Sequence, residues 1–106
     1  MVAASAVVIA AMTIAGCSTA DTPAAPTDPV LAQGQQLYLA NCASCHGRSG
    51  GGGLGPKLSG VVAERYPNIA DQEAVILNGR GSMPAFKTRF DQAQLDAVTR
   101  YTREAL

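Results

Sequence analysis

The stretch Cys42-Ala43-Ser44-Cys45-His46 constrains this chain more than any other. Cysteines three positions apart lie about one turn apart on a coiled backbone, so both sulfurs face the same side. His46 follows at once, placing an imidazole beside the two thiols. This is the spacing needed to attach a c-type haem: each thiol adds to a vinyl group to form a thioether, and the imidazole reaches the iron from the proximal side. Other uses of the pair fit less well. A thioredoxin-like dithiol belongs in a βαβ context, and the chain shows no alternating strand pattern. Tetrahedral zinc takes about four ligands, and no second pair of Cys or His follows. A Cys42–Cys45 disulfide is chemically open in an oxidising compartment, but it gives the adjacent histidine no role.

The rest of the ligand set follows by elimination. The chain has one histidine, His46, so bis-histidine ligation within one chain is impossible. Of its three methionines, Met1 and Met12 fall in the N-terminal stretch read below as a signal and Met83 alone lies in the body, within Gly81-Ser82-Met83-Pro84. A loop methionine between Gly and Pro is well suited to hold its thioether inward as the second axial ligand. Lys57 and Lys87 stand as fallback ligands.

Val2 to Ala15 carries no charge and is almost wholly apolar. It is shorter than the roughly 20 residues of a spanning helix and reads as the core of an export signal, although no Lys or Arg precedes it. Ile14-Ala15-Gly16-Cys17 resembles a bacterial lipobox, which implies that Cys17 is lipidated and begins the mature protein. Two acyl chains suffice for stable membrane attachment. Ser18 to Pro29 is rich in proline and small polar residues and reads as a semi-extended tether with a reach on the order of 35 Å. Its acids, Asp21 and Asp28, are expected only to solvate it. The division is therefore a signal over 1–16, an anchor and tether over 17–29, and a globular domain over 30–106.

That domain is short for a self-sufficient core, and a covalent haem would supply both apolar filling and a staple. Helices are expected at about Val30–Ala40, Ile69–Leu77 and Asp91–Ala105, from the caps Asn68 (or Asp71) and Asp91, the stop Asn78-Gly79, and the stripe Leu95, Val98, Tyr101, Thr102. Loops fill the rest, so the fold class is all-α. No basic block points to nucleic acid. All eight Lys/Arg but only six of eight Asp/Glu lie from Val30 onward. Arg48, Lys57, Arg80, Lys87 and Arg89 fall in loops expected near the haem, a weak docking surface for an acidic redox partner.

With these residues in place, Val30 to Leu106 resembles a class I monohaem cytochrome c of the short bacterial type. The resemblance implies helices and loops wrapped around one covalently attached haem. Gly34 and Tyr38 resemble the small and aromatic pair where the first helix meets the last, with Tyr101, Leu95 and Val98 as their partners. Gly55-Pro56-Lys57-Leu58 resembles the segment whose proline carbonyl accepts a hydrogen bond from the proximal imidazole, which makes Pro56 part of the cofactor site. Asn78 to Phe86 resembles the axial-methionine loop. Thr102 departs from the usual aliphatic residue, so a more solvated helix edge is expected there. The glycines of Ser49 to Gly53 predict a mobile loop. The implied function is single-electron transfer without catalysis, in a respiratory chain, at the periplasmic or outer face of a membrane. The alternatives are a haem subunit fixed in a larger oxidase or dehydrogenase, and a haem enzyme or ligand sensor with a labile methionine. The lack of a distal histidine counts against the last.

Overall fold

A computed structural model describes residues 21–106; the expected signal and Cys17 lie outside the described residues. Helix α1 spans Pro29–Asn41, α2 Ala43–His46, α3 Val62–Arg65, α4 Ile69–Asn78 and α5 Gln92–Glu104. Among the described residues there is no strand, only an isolated antiparallel bridge between Arg80 and Met83. None of these helices is long and apolar enough to cross a membrane.

Each long helix starts where its sequence supplies an oxygen for the orphan amides of the first turn. Asp28 Oδ1 accepts from Val30 N at 2.8 Å and Leu31 N at 3.0 Å, ahead of Pro29 at the first helical position. Asn68 Oδ1 accepts from Ala70 N at 3.1 Å. Asp91 and Gln94 form a reciprocal capping box at 2.8 and 3.0 Å. Helix α4 gives way to Gly79 at φ 70°, a left-handed conformation that glycine adopts at little cost.

The core is the crossing of α1 and α5, and glycine makes it possible. A Cβ at Gly34 would meet the Ala97 carbonyl oxygen and would lie 2.7 Å from Tyr101 Cβ. Only a bare Cα lets the two backbones approach so closely. Tyr38 and Tyr101, both fully buried, then pack with ring centroids 5.5 Å apart and planes tilted by 50°. Aromatic pairs in such tilted arrangements contribute about 0.5–1.5 kcal/mol beyond the area they bury. Phe86, Phe90, Val98 and Ala43 complete the cluster. The three expected helices are thus found within a residue or two of their predicted ends. The one-turn helices α2 and α3 were not expected.

Three expectations are corrected. Thr102 is buried, not solvated: its hydroxyl accepts from Gln72 Nε2 at 2.7 Å and reaches the carbonyls of Val98 and Thr99 at 3.0 Å. Gln72 Oε1 also accepts from Arg103 at 3.1 Å, so a polar chain joins α4 to α5 where an aliphatic contact was usual. The glycine loop is knit by backbone hydrogen bonds rather than left loose, with Leu58 N and Ser59 N both donating to Gly50 O at 2.8 and 3.0 Å. The described part of the proline-rich segment lies against the domain: Gln35 donates to Pro23 O, Arg48 to Thr22, and Asp28 both caps α1 and meets Arg100 at 3.6 Å.

Candidate functional site

Helix α1 ends at Cys42, whose amide donates to Tyr38 O at 2.8 Å, and the single turn α2 continues at once through Cys45 to His46. Gly47, at φ 88°, then turns the chain away. Its carbonyl accepts from the Tyr38 hydroxyl at 2.7 Å, which ties this turn to the α1–α5 core. That buried phenol is held well above its usual pKa, chiefly by desolvation.

His46 is nearly buried, and its Nδ1 lies 2.8 Å from Pro56 O. A carbonyl only accepts, so Nδ1 carries the proton and the Nε2 lone pair is left free. The segment around Pro56 is positioned by glycine. Gly52 N donates to His46 O and Gly55 N to Cys45 O, each at 2.8 Å. A Cβ at Gly55 would sit 2.8–3.2 Å from three atoms of the imidazole ring, so only a residue without a side chain fits beside it.

Met83 is held from the other loop. Arg80 N and Met83 O, and Met83 N and Arg80 O, pair at 3.2 and 3.0 Å. Phe86 N and Lys87 N donate back to Ile76 O and Leu77 O of α4 at 3.0 and 3.1 Å. Gly79 has no room for a side chain, because a Cβ there would meet Met83 O.

Cys42, Cys45, His46, Pro56 and Met83 all line one cleft of about 1170 Å³, walled by Val62, Ile76, Phe86 and Val98. Neither Lys57 nor Lys87, the fallback ligands, lines it. Cys42 and Cys45 form no disulfide with each other. Burial, with a smaller contribution from Cys45, pushes the Cys42 thiol up to about 11. No cluster of three or more His, Cys, Asp or Glu that could hold a bare metal ion occurs among the described residues. The donor set suits a large apolar plate with an iron at its centre: two thiols, an imidazole with Nε2 free, a thioether and an apolar wall. Leu54, 93% exposed on the rim, would offer such a plate a further apolar contact.

Residues 29–101 match the family model described as cytochrome c oxidase, cbb3-type, subunit III. Cytochrome c6 of Leptolyngbya boryana is 36% identical over 73 residues, covering 66% of this chain and 86% of that protein. The chain belongs to the monohaem class I cytochromes c.

Like them, this cytochrome c carries one covalent haem c and transfers electrons; it is not an enzyme. Proteins of this family work outside the cytoplasm. The domain recurs within larger proteins. The cbb3-type oxidase subunit FixP of Azorhizobium caulinodans is 36% identical over 83% of this chain, but the match spans only 29% of FixP. The solved structure of the dihydro-haem d1 dehydrogenase NirN superposes with a TM-score of 0.64 at 36% identity, over 70% of this chain and 16% of that one.

The structure brings together all five residues expected at the cofactor. Of the basic loop residues, Arg80 and Arg89 line the cleft, whereas Arg48, Lys57 and Lys87 do not. Arg65 and Tyr66, at the end of α3, also line it and were not anticipated. The four-residue helix that delivers them has too short a pattern to stand out in sequence.

Proposed function

We propose that Cys42 and Cys45 form the two thioethers, that His46 and Met83 are the axial ligands, and that the chain is a membrane-tethered single-electron carrier in a respiratory chain. The observation that carries this reading is the convergence of the only histidine and the only methionine of the body on one cleft with both thiols. When bound, the haem supplies an iron that alternates between two oxidation states. Pro56 O fixes the His46 tautomer and raises the basicity of Nε2. The paired hydrogen bonds between Arg80 and Met83 hold the methionine loop in one shape, so the thioether is presented without reorganisation. With both axial positions taken by side chains of the chain itself, no substrate coordinates, which fits a carrier. The soft thioether favours the reduced state. Lipidation of Cys17 would keep the domain at a membrane surface, on its periplasmic or outer face.

The test is the visible spectrum of the oxidised protein. A low-spin c-type spectrum with the ferric iron–sulfur band is expected. Met83→Leu removes that band, lowers the reduction potential and opens the iron to carbon monoxide. A wild-type spectrum that is high-spin or responds to carbon monoxide would overturn the ligand set and favour a ligand sensor. A second reading, a haem subunit fixed in a larger oxidase, is favoured by the family match and by FixP. Purification from native membranes separates the two: a stoichiometric complex supports the subunit, a free lipoprotein the shuttle. Mass spectrometry of that material reports on Cys17, and an unmodified thiol there excludes the lipid anchor.

A further inference from the structure

The domain offers its own N-terminal segment a binding surface, and the contacts on it are of three kinds. Gln35, in the middle of α1, is 5% exposed, and its amide nitrogen donates to Pro23 O at 2.9 Å and Ala24 O at 3.2 Å, with Tyr101 OH at 3.5 Å. A buried amide has to find partners, and the nearer two belong to the segment. Arg48 Nε donates to Thr22 Oγ1 at 2.6 Å. Asp28 caps α1 and meets Arg100 of α5 at 3.6 Å. Pro23, Pro26 and Pro29 pre-extend the backbone, so less conformational freedom is lost when it docks.

We propose that residues Thr22–Asp28 are a strap docked across α1 and α5 by Gln35, Arg48 and Arg100, and that the strap, rather than the start of α1, sets where the domain pivots on its anchor. The ties run from Arg100 on α5, across Gln35, to Arg48, two residues beyond His46. The chain therefore leaves the domain beside the haem-attachment turn. The consequence for orientation rests on the membrane-tether reading. From Cys17 to Pro29 is twelve residues, at most about 43 Å of chain, whereas from Cys17 to Thr22 is five, at most about 18 Å. The strap thus brings the Arg48 end within a short reach of the membrane and removes most of the freedom a twelve-residue tether would give.

The test uses the full-length, haem-loaded protein with a nitroxide amino acid at position 25, an exposed site in the strap. The expected spectrum is slow, anisotropic motion coupled to the tumbling of the domain. Gln35→Ala with Arg48→Ala should convert it to fast local motion while the haem spectrum stays native. Should Gln35→Ala compromise folding, Arg48→Ala alone, on an exposed side chain, should free a label at position 21. Fast motion in the parent protein, or motion unchanged by both variants, overturns the strap. Orientation is read from a fluorophore at Ser49 in lipidated protein on phosphatidylethanolamine–phosphatidylglycerol vesicles carrying a headgroup quencher. Quenching should be strong in the parent and should fall in the double variant; equal quenching in both overturns the pivot. Slow motion at position 25 in protein that fails to bind vesicles supports the strap and sinks the tether reading alone.

Discussion

The α1–α5 crossing and the cleft wall are built on opposite plans. The crossing is held by side chains: Tyr38 against Tyr101, with Gly34 leaving room for Ala97. The wall over residues 47–59 is held mostly by backbone. Gly47, Gly50 and Gly52 adopt φ of 88°, 73° and 98°, and the carbonyls of Cys45, His46 and Gly50 each take an amide from the loop. A packed seam specifies itself through shape. A backbone-knit wall fixes where a few atoms sit while leaving a cavity for something that is not protein. Small domains divide labour in this way when a prosthetic group is to supply much of their core.

The largest effect should come from denying the wall its guest. Cys42→Ala with Cys45→Ala should abolish covalent haem, read as loss of the haem-stained band on a denaturing gel. Hydrogen exchange on that chain should show loop amides at 50–59 losing protection before those of α1 and α5; the reverse order would break the distinction drawn above. Next is the seam itself. Gly34→Ala pushes a methyl group into the Ala97 carbonyl and should cost about 1–3 kcal/mol in denaturant melts, with the visible spectrum little changed. A spectrum that changes as much as the stability does would show the two regions to be one unit.

The attachment motif was legible because covalent chemistry demands fixed spacing, and the proposed ligands were narrowed because the chain has one histidine and its body one methionine. The seam was legible through the resemblance of Gly34, Tyr38 and Tyr101 to the small and aromatic residues where first and last helices meet, with periodicity marking only the α5 stripe. What was not legible depends on partners far along the chain. Thr102 reads as a solvated edge until Gln72, thirty residues away, is seen to donate to it. Flexibility is the ordinary inference from the run Gly50 to Gly53, yet Gly50 and Gly52 supply conformations that other residues adopt poorly. Their amides and carbonyls then find partners in His46, Leu58 and Ser59, which no local pattern announces. Asp28 reads as a solvating acid until its cap and Arg100 are located.

Two smaller effects sharpen the contrast. Thr102→Val leaves the buried Gln72 amide without its acceptor and should cost about 1–3 kcal/mol, more than Thr102→Ser, which keeps the hydroxyl; equal losses would show packing to be the cause. The smallest effect concerns Asp28. Hydrogen bonds from Leu31 N and Val30 N, aided by Arg100, hold its carboxyl below the ordinary 3.8. Its contribution to stability is therefore full above about that pH and is lost as pH falls through the lower folded value. In Asp28→Asn, acid melts should lose this part of their pH dependence while the neutral-pH spectrum is unchanged.

Gly55 has a consequence of a different kind. The imidazole keeps its tilt because no carbon stands at that position, with three ring atoms waiting 2.8–3.2 Å from where one would be. In the proposed site that ring bonds directly to the redox centre. One added methyl group would turn the ring without altering any ligand. A lineage could thus retune the voltage of this carrier through a residue that supplies no ligand of its own.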